Sequence, residues 1–257
     1  MIEPLAHART GSGEPLAMVH PLGSDRGVWE PVLEDLGRDF DCLAVDMPGF
    51  GESPELPDDV RATPTAIAAA VAATLDRLGI ERAHVTGVSL GGWVALELAR
   101  AGRALSVAGL CTAGLWPRPL GPRRSLARPA ARVLSPALPL LMRSTALRTR
   151  MLSGSMARPE RVPPADAVRR IRAYAHAPGF DAANAEMRAD TFTAFDEIDV
   201  PVTLAWGEHD RLVRPSRRVP AWVRTTVLTG CGHVPTWDDP EQVARVIREG
   251  ALARSAA

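Results

Sequence analysis

Three residues far apart in the chain have the types needed for acyl chemistry: a serine, a histidine and an acid. Ser89 lies in Gly87-Val88-Ser89-Leu90-Gly91, with a glycine two residues to either side. A serine hydroxyl is a weak nucleophile unless a base takes its proton and a carboxylate orients that base. His233 stands in Gly230-Cys231-Gly232-His233, a glycine-flanked loop. Asp210 closes Trp206-Gly207-Glu208-His209-Asp210, where Glu208 is a competing acid two residues earlier. The glycines around Ser89 have a steric reason. On a tight strand-to-helix turn the serine takes strained backbone angles, and side chains two residues away would collide. Such a turn also sets a helix N-terminus, with its free N–H groups and positive dipole end, under a developing oxyanion.

These residues need elements that bring them together. Short apolar or β-branched runs at 16–20, 42–45 and 83–88 alternate with helical patterns at 29–36, 64–78 and 90–101. That alternation predicts a parallel sheet covered by helices on both faces. Thr63 is placed to cap the second helix, Pro64 takes its first position and Gly79 stops it. A further strand is expected at 106–112, and strands resume at 200–206 and 225–228 before a last helix opened by Asp239 and Pro240. Ser89, Asp210 and His233 each follow a predicted strand, the edge at which open parallel sheets place their sites.

Between these two stretches the rhythm breaks. Residues 116–190 are rich in proline and arginine and show no strand alternation, which predicts a helical insertion into a core formed by 1–115 and 191–257. The insertion holds 14 arginines against five acids (Glu160, Asp166, Asp181, Glu186 and Asp190). Arginines coating exposed helices are the plain explanation; attraction of an anionic substrate is the functional one.

Composition closes off other classes. Formal net charge is zero over 257 residues, so no whole-chain bias points to nucleic acid or an acidic membrane. All 30 basic residues are arginine, which excludes Schiff-base lysine chemistry. The most apolar stretch, 66–75, falls short of the about 20 residues of a membrane span, so no stable membrane insertion is expected. The first ten residues carry Glu3 and Pro4 and do not resemble a secretory signal. Cys42, Cys111 and Cys231 are odd in number, far apart and without a CxxC pair, which suggests neither a disulfide framework nor a thiolate metal site and fits the cytoplasm. His209 beside Asp210 lacks the ligand count of a zinc site, so no metal and no cofactor are expected.

At these residues the chain resembles a serine hydrolase of the α/β-hydrolase fold, whose triad runs nucleophile, acid, histidine along the chain, as Ser89, Asp210 and His233 do. The segment from Val45 to Ser53, VDMPGFGES, is similar to the D-x-P-G-x-G-x-S loop common in that family. The resemblance implies a mostly parallel sheet flanked by helices, and it makes the insertion a cap over the active site. It also implies an oxyanion hole built from the N–H groups of Leu22 and Leu90. Here His20-Pro21-Leu22-Gly23 departs from the usual His-Gly, and proline has no N–H to give. His20 is expected to brace that loop. Trp116, Leu140, Leu141, Met142 and Met151 either line an acyl pocket or pack within the cap. The expected activity is carboxylesterase-like hydrolysis of an ester or related acyl bond in a small, mostly apolar molecule. Carbon–carbon bond hydrolysis or lysis on the same fold and a non-catalytic small-ligand receptor are the alternatives. The aspartate nucleophile of the family's epoxide hydrolases is disfavoured, because position 89 is serine.

Overall fold

The computed structural model describes residues 3–122 and 127–253. Seven strands make one sheet: β1 (His7–Gly11), β2 (Glu14–Val19), β3 (Phe40–Val45), β4 (Ala83–Val88), β5 (Ala104–Leu110), β6 (Val202–Gly207) and β7 (Arg224–Leu228). Their spatial order is β1-β3-β2-β4-β5-β6-β7. All neighbours run parallel except the edge strand β1, which is antiparallel to β3. The sequence pattern predicts six of these strands, with ends displaced by one or two residues, and misses β1. Its His-Ala-Arg-Thr-Gly is polar and mostly exposed, so it carries no apolar alternation.

Helices α1 (Glu30–Leu36), α2 (Pro64–Arg77) and α3 (Leu90–Arg100) follow β2, β3 and β4. Five more, α4 (Ala127–Leu134), α5 (Leu138–Leu141), α6 (Thr145–Leu152), α7 (Pro164–His176) and α8 (Phe180–Ala189), lie between β5 and β6, and α9 (Pro240–Leu252) ends the described chain. Thr63 caps α2 by accepting the Ala66 N–H, and Asp239 caps α9 by accepting that of Gln242.

The central strands are buried on both faces, as parallel strands under helices must be. In β2, Ala17 and Val19 join α2 and α3 residues such as Val71, Leu75 and Leu96 on one face. Leu16 and Met18 join Val32 and Leu36 of α1 and Val243 and Ile247 of α9 on the other. Each such fully buried aliphatic side chain contributes about 1.5–3 kcal/mol.

The helical insertion between β5 and β6 is tied down locally. The Gly179 N–H donates to the Gly49 carbonyl at 3.0 Å. A Cβ on Gly49, whose φ is +75°, would stand 2.7 Å from the Gly179 Cα. The arginines are not all a solvated coat: Arg128 and Arg148 are buried, donating to the carbonyls of Tyr174 and Ala177 and to that of Met142. Tyr174 and Ala177 lie at the C-terminal end of α7 and Met142 at that of α5, where carbonyls have no intrahelical partner, and the guanidinium groups satisfy them.

Candidate active site

β4 runs straight into α3, and Ser89 sits at the junction with φ +56° and ψ −115°, a conformation that L-residues rarely adopt. Close packing imposes it. A Cβ on Gly87 would lie 2.1 Å from the Gly91 carbonyl oxygen, and one on Gly91 would lie 2.1 Å from that of Val19. Glycine at 91 lets α3 start against the end of β2, and glycine at 87 lets its first turn fold back on β4. Ser89 is fixed by its N–H to the Leu110 carbonyl at 2.9 Å, and its own carbonyl accepts from Trp93 and Ala113.

His233 and Asp210 are brought together beyond the carboxyl ends of β6 and β7, the same edge of the sheet as Ser89. His233 Nδ1 stands 2.8 Å from Asp210 Oδ2, and both side chains are almost wholly buried. Asp210 follows β6 and His233 follows β7, and the two connections touch through glycine: a Cβ on Gly207 would lie 2.1 Å from the Gly232 carbonyl oxygen. Burial pushes the Asp210 carboxyl up, but the His233 hydrogen bond and charge, with the N–H groups of Val213 and Leu212, outweigh it and hold the group below the ordinary carboxylate range. Glu208 points elsewhere and accepts the Gly230 N–H at 2.8 Å.

The turn after β2 holds Leu22. His20 is wholly buried; Nδ1 lies 2.8 Å from the Pro21 carbonyl and Nε2 accepts the Met47 N–H at 2.9 Å. One ring nitrogen therefore donates and the other accepts, which defines a neutral imidazole. Burial, against weaker opposing effects of the Pro21 carbonyl and of Asp46 and Asp25, lowers its pKa and keeps it so. The Pro21 carbonyl also accepts from Ser24 N at 3.2 Å. With no cis peptide in the described chain, the planar Pro21–Leu22 bond turns the Leu22 N–H the opposite way. The same reasoning applies at Leu90, the first residue of α3, because the Ser89 carbonyl is turned into the helix.

The remaining predicted residues part company. Trp116 packs edge-on against Trp93 of α3, with ring centres 6.0 Å apart, and donates to the Asp190 carbonyl. Met142 is wholly buried beside Leu138 and Met156 in the cluster under the insertion. Leu140 is 71% exposed. α5 is a four-residue turn between prolines, and it buries Leu138 instead. Cys231 is buried, as a small apolar residue would be, and burial pushes its thiol up to about 12.

Two residues near the pair carry no clear sequence signal. Ligating atoms of Cys111, Asp210 and His233 all lie within 4.8 Å of one another. Burial first, then the Asp210 charge, pushes the Cys111 thiol well up. Asp238 is fully buried and accepts the Gly232 N–H at 2.7 Å, one residue before His233. In sequence it merges with Asp239 as a helix-start acid.

A sheet of this order, a serine on a strained β4–α3 turn and a buried His–Asp pair define the class of the chain. Residues 16–246 match the alpha/beta hydrolase family, and the chain belongs to it. It is similar to epoxide hydrolase EphH of Mycobacterium tuberculosis, 34% identical over 206 residues covering 67% of this chain and 87% of the relative. It is also similar to the 2-hydroxy-6-oxo-6-phenylhexa-2,4-dienoate hydrolase of Comamonas testosteroni, 27% identical over 92% of this chain and 87% of that one. Among solved structures, a thermophilic esterase from Thermogutta terrifontis superposes with a TM-score of 0.71 at 26% identity, over 95% of this chain and 92% of the other. No helix among the described residues is long and apolar enough to cross a membrane.

Proposed function

We propose that the protein is a serine hydrolase that cleaves an ester or related acyl bond of a small, mostly apolar molecule, with no cofactor. The observation that carries this reading is Ser89 on its strained turn, in a fold that also buries the 2.8 Å His233–Asp210 pair. Ser89 Oγ attacks the carbonyl carbon while His233 Nε2 takes its proton. Asp210 holds the ring by Nδ1 and stabilises the imidazolium. The tetrahedral oxyanion is met by the Leu22 and Leu90 N–H groups, each worth on the order of 10² to 10³ in rate. His233 then protonates the leaving group, and water activated by the same ring releases the acyl group from Ser89. The helical insertion serves as the cap that sets substrate size, and Trp116 beside α3 contributes to its wall. Three free, buried cysteines fit a reducing compartment such as the cytoplasm.

Similarity to EphH does not carry epoxide chemistry here, because opening the ring through an alkyl-enzyme needs a carboxylate where this chain has Ser89. Carbon–carbon bond hydrolysis is the second reading, favoured by the similarity to the Comamonas dienoate hydrolase. Steady-state hydrolysis of p-nitrophenyl esters across acyl chain lengths separates the two. Ester cleavage that peaks at one chain length supports the first reading. Loss of absorbance from a coloured 2-hydroxy-6-oxo-dienoate, with no ester turnover, replaces it with the second.

A further inference from the structure

The loop that carries His233 is held partly by the helical insertion. The Val234 N–H donates to the Ser155 carbonyl at 2.8 Å. On the other side of His233, the Gly232 N–H donates to Asp238 Oδ2 at 2.7 Å. The same carboxylate reaches into the insertion: it accepts the Ala157 N–H at 3.0 Å on Oδ2 and the Arg158 N–H at 2.6 Å on Oδ1. The guanidinium of Arg161 donates to the Asp238 carbonyl at 2.5 Å. Contact is close enough that a Cβ on Gly232 would lie 2.8 Å from the Ala157 backbone nitrogen.

We infer that Asp238 is a positioning residue whose carboxylate couples the helical insertion to the His233 loop, so that the imidazole is aligned for Ser89 only while the insertion is docked. A buried carboxylate accepting three N–H groups is a strong, directional joint. Its two oxygens divide the work, since only Oδ2 reaches Gly232 and only Oδ1 reaches Arg158. Asparagine keeps the shape and loses one acceptor. Placing its amide nitrogen at either position sets a donor against a donor, so one side of the joint opens whichever way it flips. Asp239, its neighbour, caps α9 and takes no part in the joint.

The inference rests on the proposed Ser89–His233–Asp210 mechanism, so the test runs Asp238→Asn beside Ser89→Ala and Asp239→Asn. The readouts are kcat and KM on the best p-nitrophenyl ester, the rate at which a fluorophosphonate labels Ser89, and amide exchange of 155–158 and 230–234. A displaced base costs rate far more than binding. Asp238→Asn is expected to lower kcat and labelling rate at least about tenfold, with KM within about threefold. Exchange in both segments rises together, and Asp239→Asn leaves all of these unchanged. A folded Asp238→Asn with wild-type kcat, or one whose kcat falls while exchange in 230–234 stays the same, overturns the inference. If Asp238→Asn does not fold, amide exchange of the wild type at rising sub-denaturing urea takes its place: 155–158 and 230–234 are expected to open together, and independent opening of the two segments overturns the inference equally. Hydrolysis that survives Ser89→Ala defeats the underlying mechanism instead; loss in Ser89→Ala with full activity in Asp238→Asn defeats only the coupling.

Discussion

Gly207 at the end of β6 faces Gly232 beside His233 so closely that a Cβ on the first would stand 2.1 Å from the carbonyl oxygen of the second. No flexible side chain is available to give way, so the backbone of the His233 loop must move. Gly207→Ala is therefore expected to lower kcat by about 10²-fold, because a shift of about 1 Å in a catalytic group costs that much. Thermal unfolding of the same variant should show a lower Tm. Wild-type kinetics in Gly207→Ala would mean that the loop is not packed as described.

Ser89 carries its strain whatever its side chain does. Residues held in such backbone regions cost about 1–3 kcal/mol, a cost that glycine escapes. Ser89→Gly should therefore unfold at higher denaturant than Ser89→Ala, by about 1 kcal/mol after glycine's greater unfolded-state freedom is allowed for. Equal midpoints would remove the argument for strain at the turn.

Asp210 links activity to pH-dependent stability. Its carboxyl is held below the ordinary range in the folded chain, so its stabilising contribution is complete above the unfolded value of about 4 and is lost as pH falls through the folded one. The Tm difference between wild type and Asp210→Asn should shrink as pH drops below about 4. At neutral pH, Asp210→Asn should lower kcat on the order of 10⁴-fold, since an amide favours the wrong imidazole tautomer. A Tm difference constant across that acid range would contradict the assignment.

How far these residues could be read from the chain depends on how local their signals are. Ser89 is legible because the strand, both glycines and the helix lie in one continuous stretch from Ala83 to Arg100. Asp210 and His233 were identifiable only through their order and the strands before them, and the 2.8 Å contact between them is a product of the fold. Asp238 was not legible, because its partners Ala157 and Arg158 are some 80 residues away and offer backbone N–H groups, which no side-chain pattern announces. Which way Leu140 faces is not legible either: prolines break the helical period around it, so apolarity alone does not reveal that it stands 71% exposed.

His20 tests the loop that holds Leu22. With Nδ1 and Nε2 committed to Pro21 and Met47, His20→Ala removes both braces and leaves the buried Met47 N–H without its acceptor. It should lower kcat about 10²-fold, the loss of one oxyanion donor, and destabilise by about 1–3 kcal/mol. Loss of stability with kcat intact would separate His20 from the site.

The central claim, that Ser89 forms an acyl-enzyme, is tested most directly by mass spectrometry after fluorophosphonate treatment of wild type and Ser89→Ala, with ester hydrolysis measured on the same samples. The account predicts one equivalent of label on the peptide bearing Ser89, none on the variant, and a loss of turnover on the order of 10⁶-fold. Label on another residue, or hydrolysis by Ser89→Ala at the wild-type rate, would contradict it.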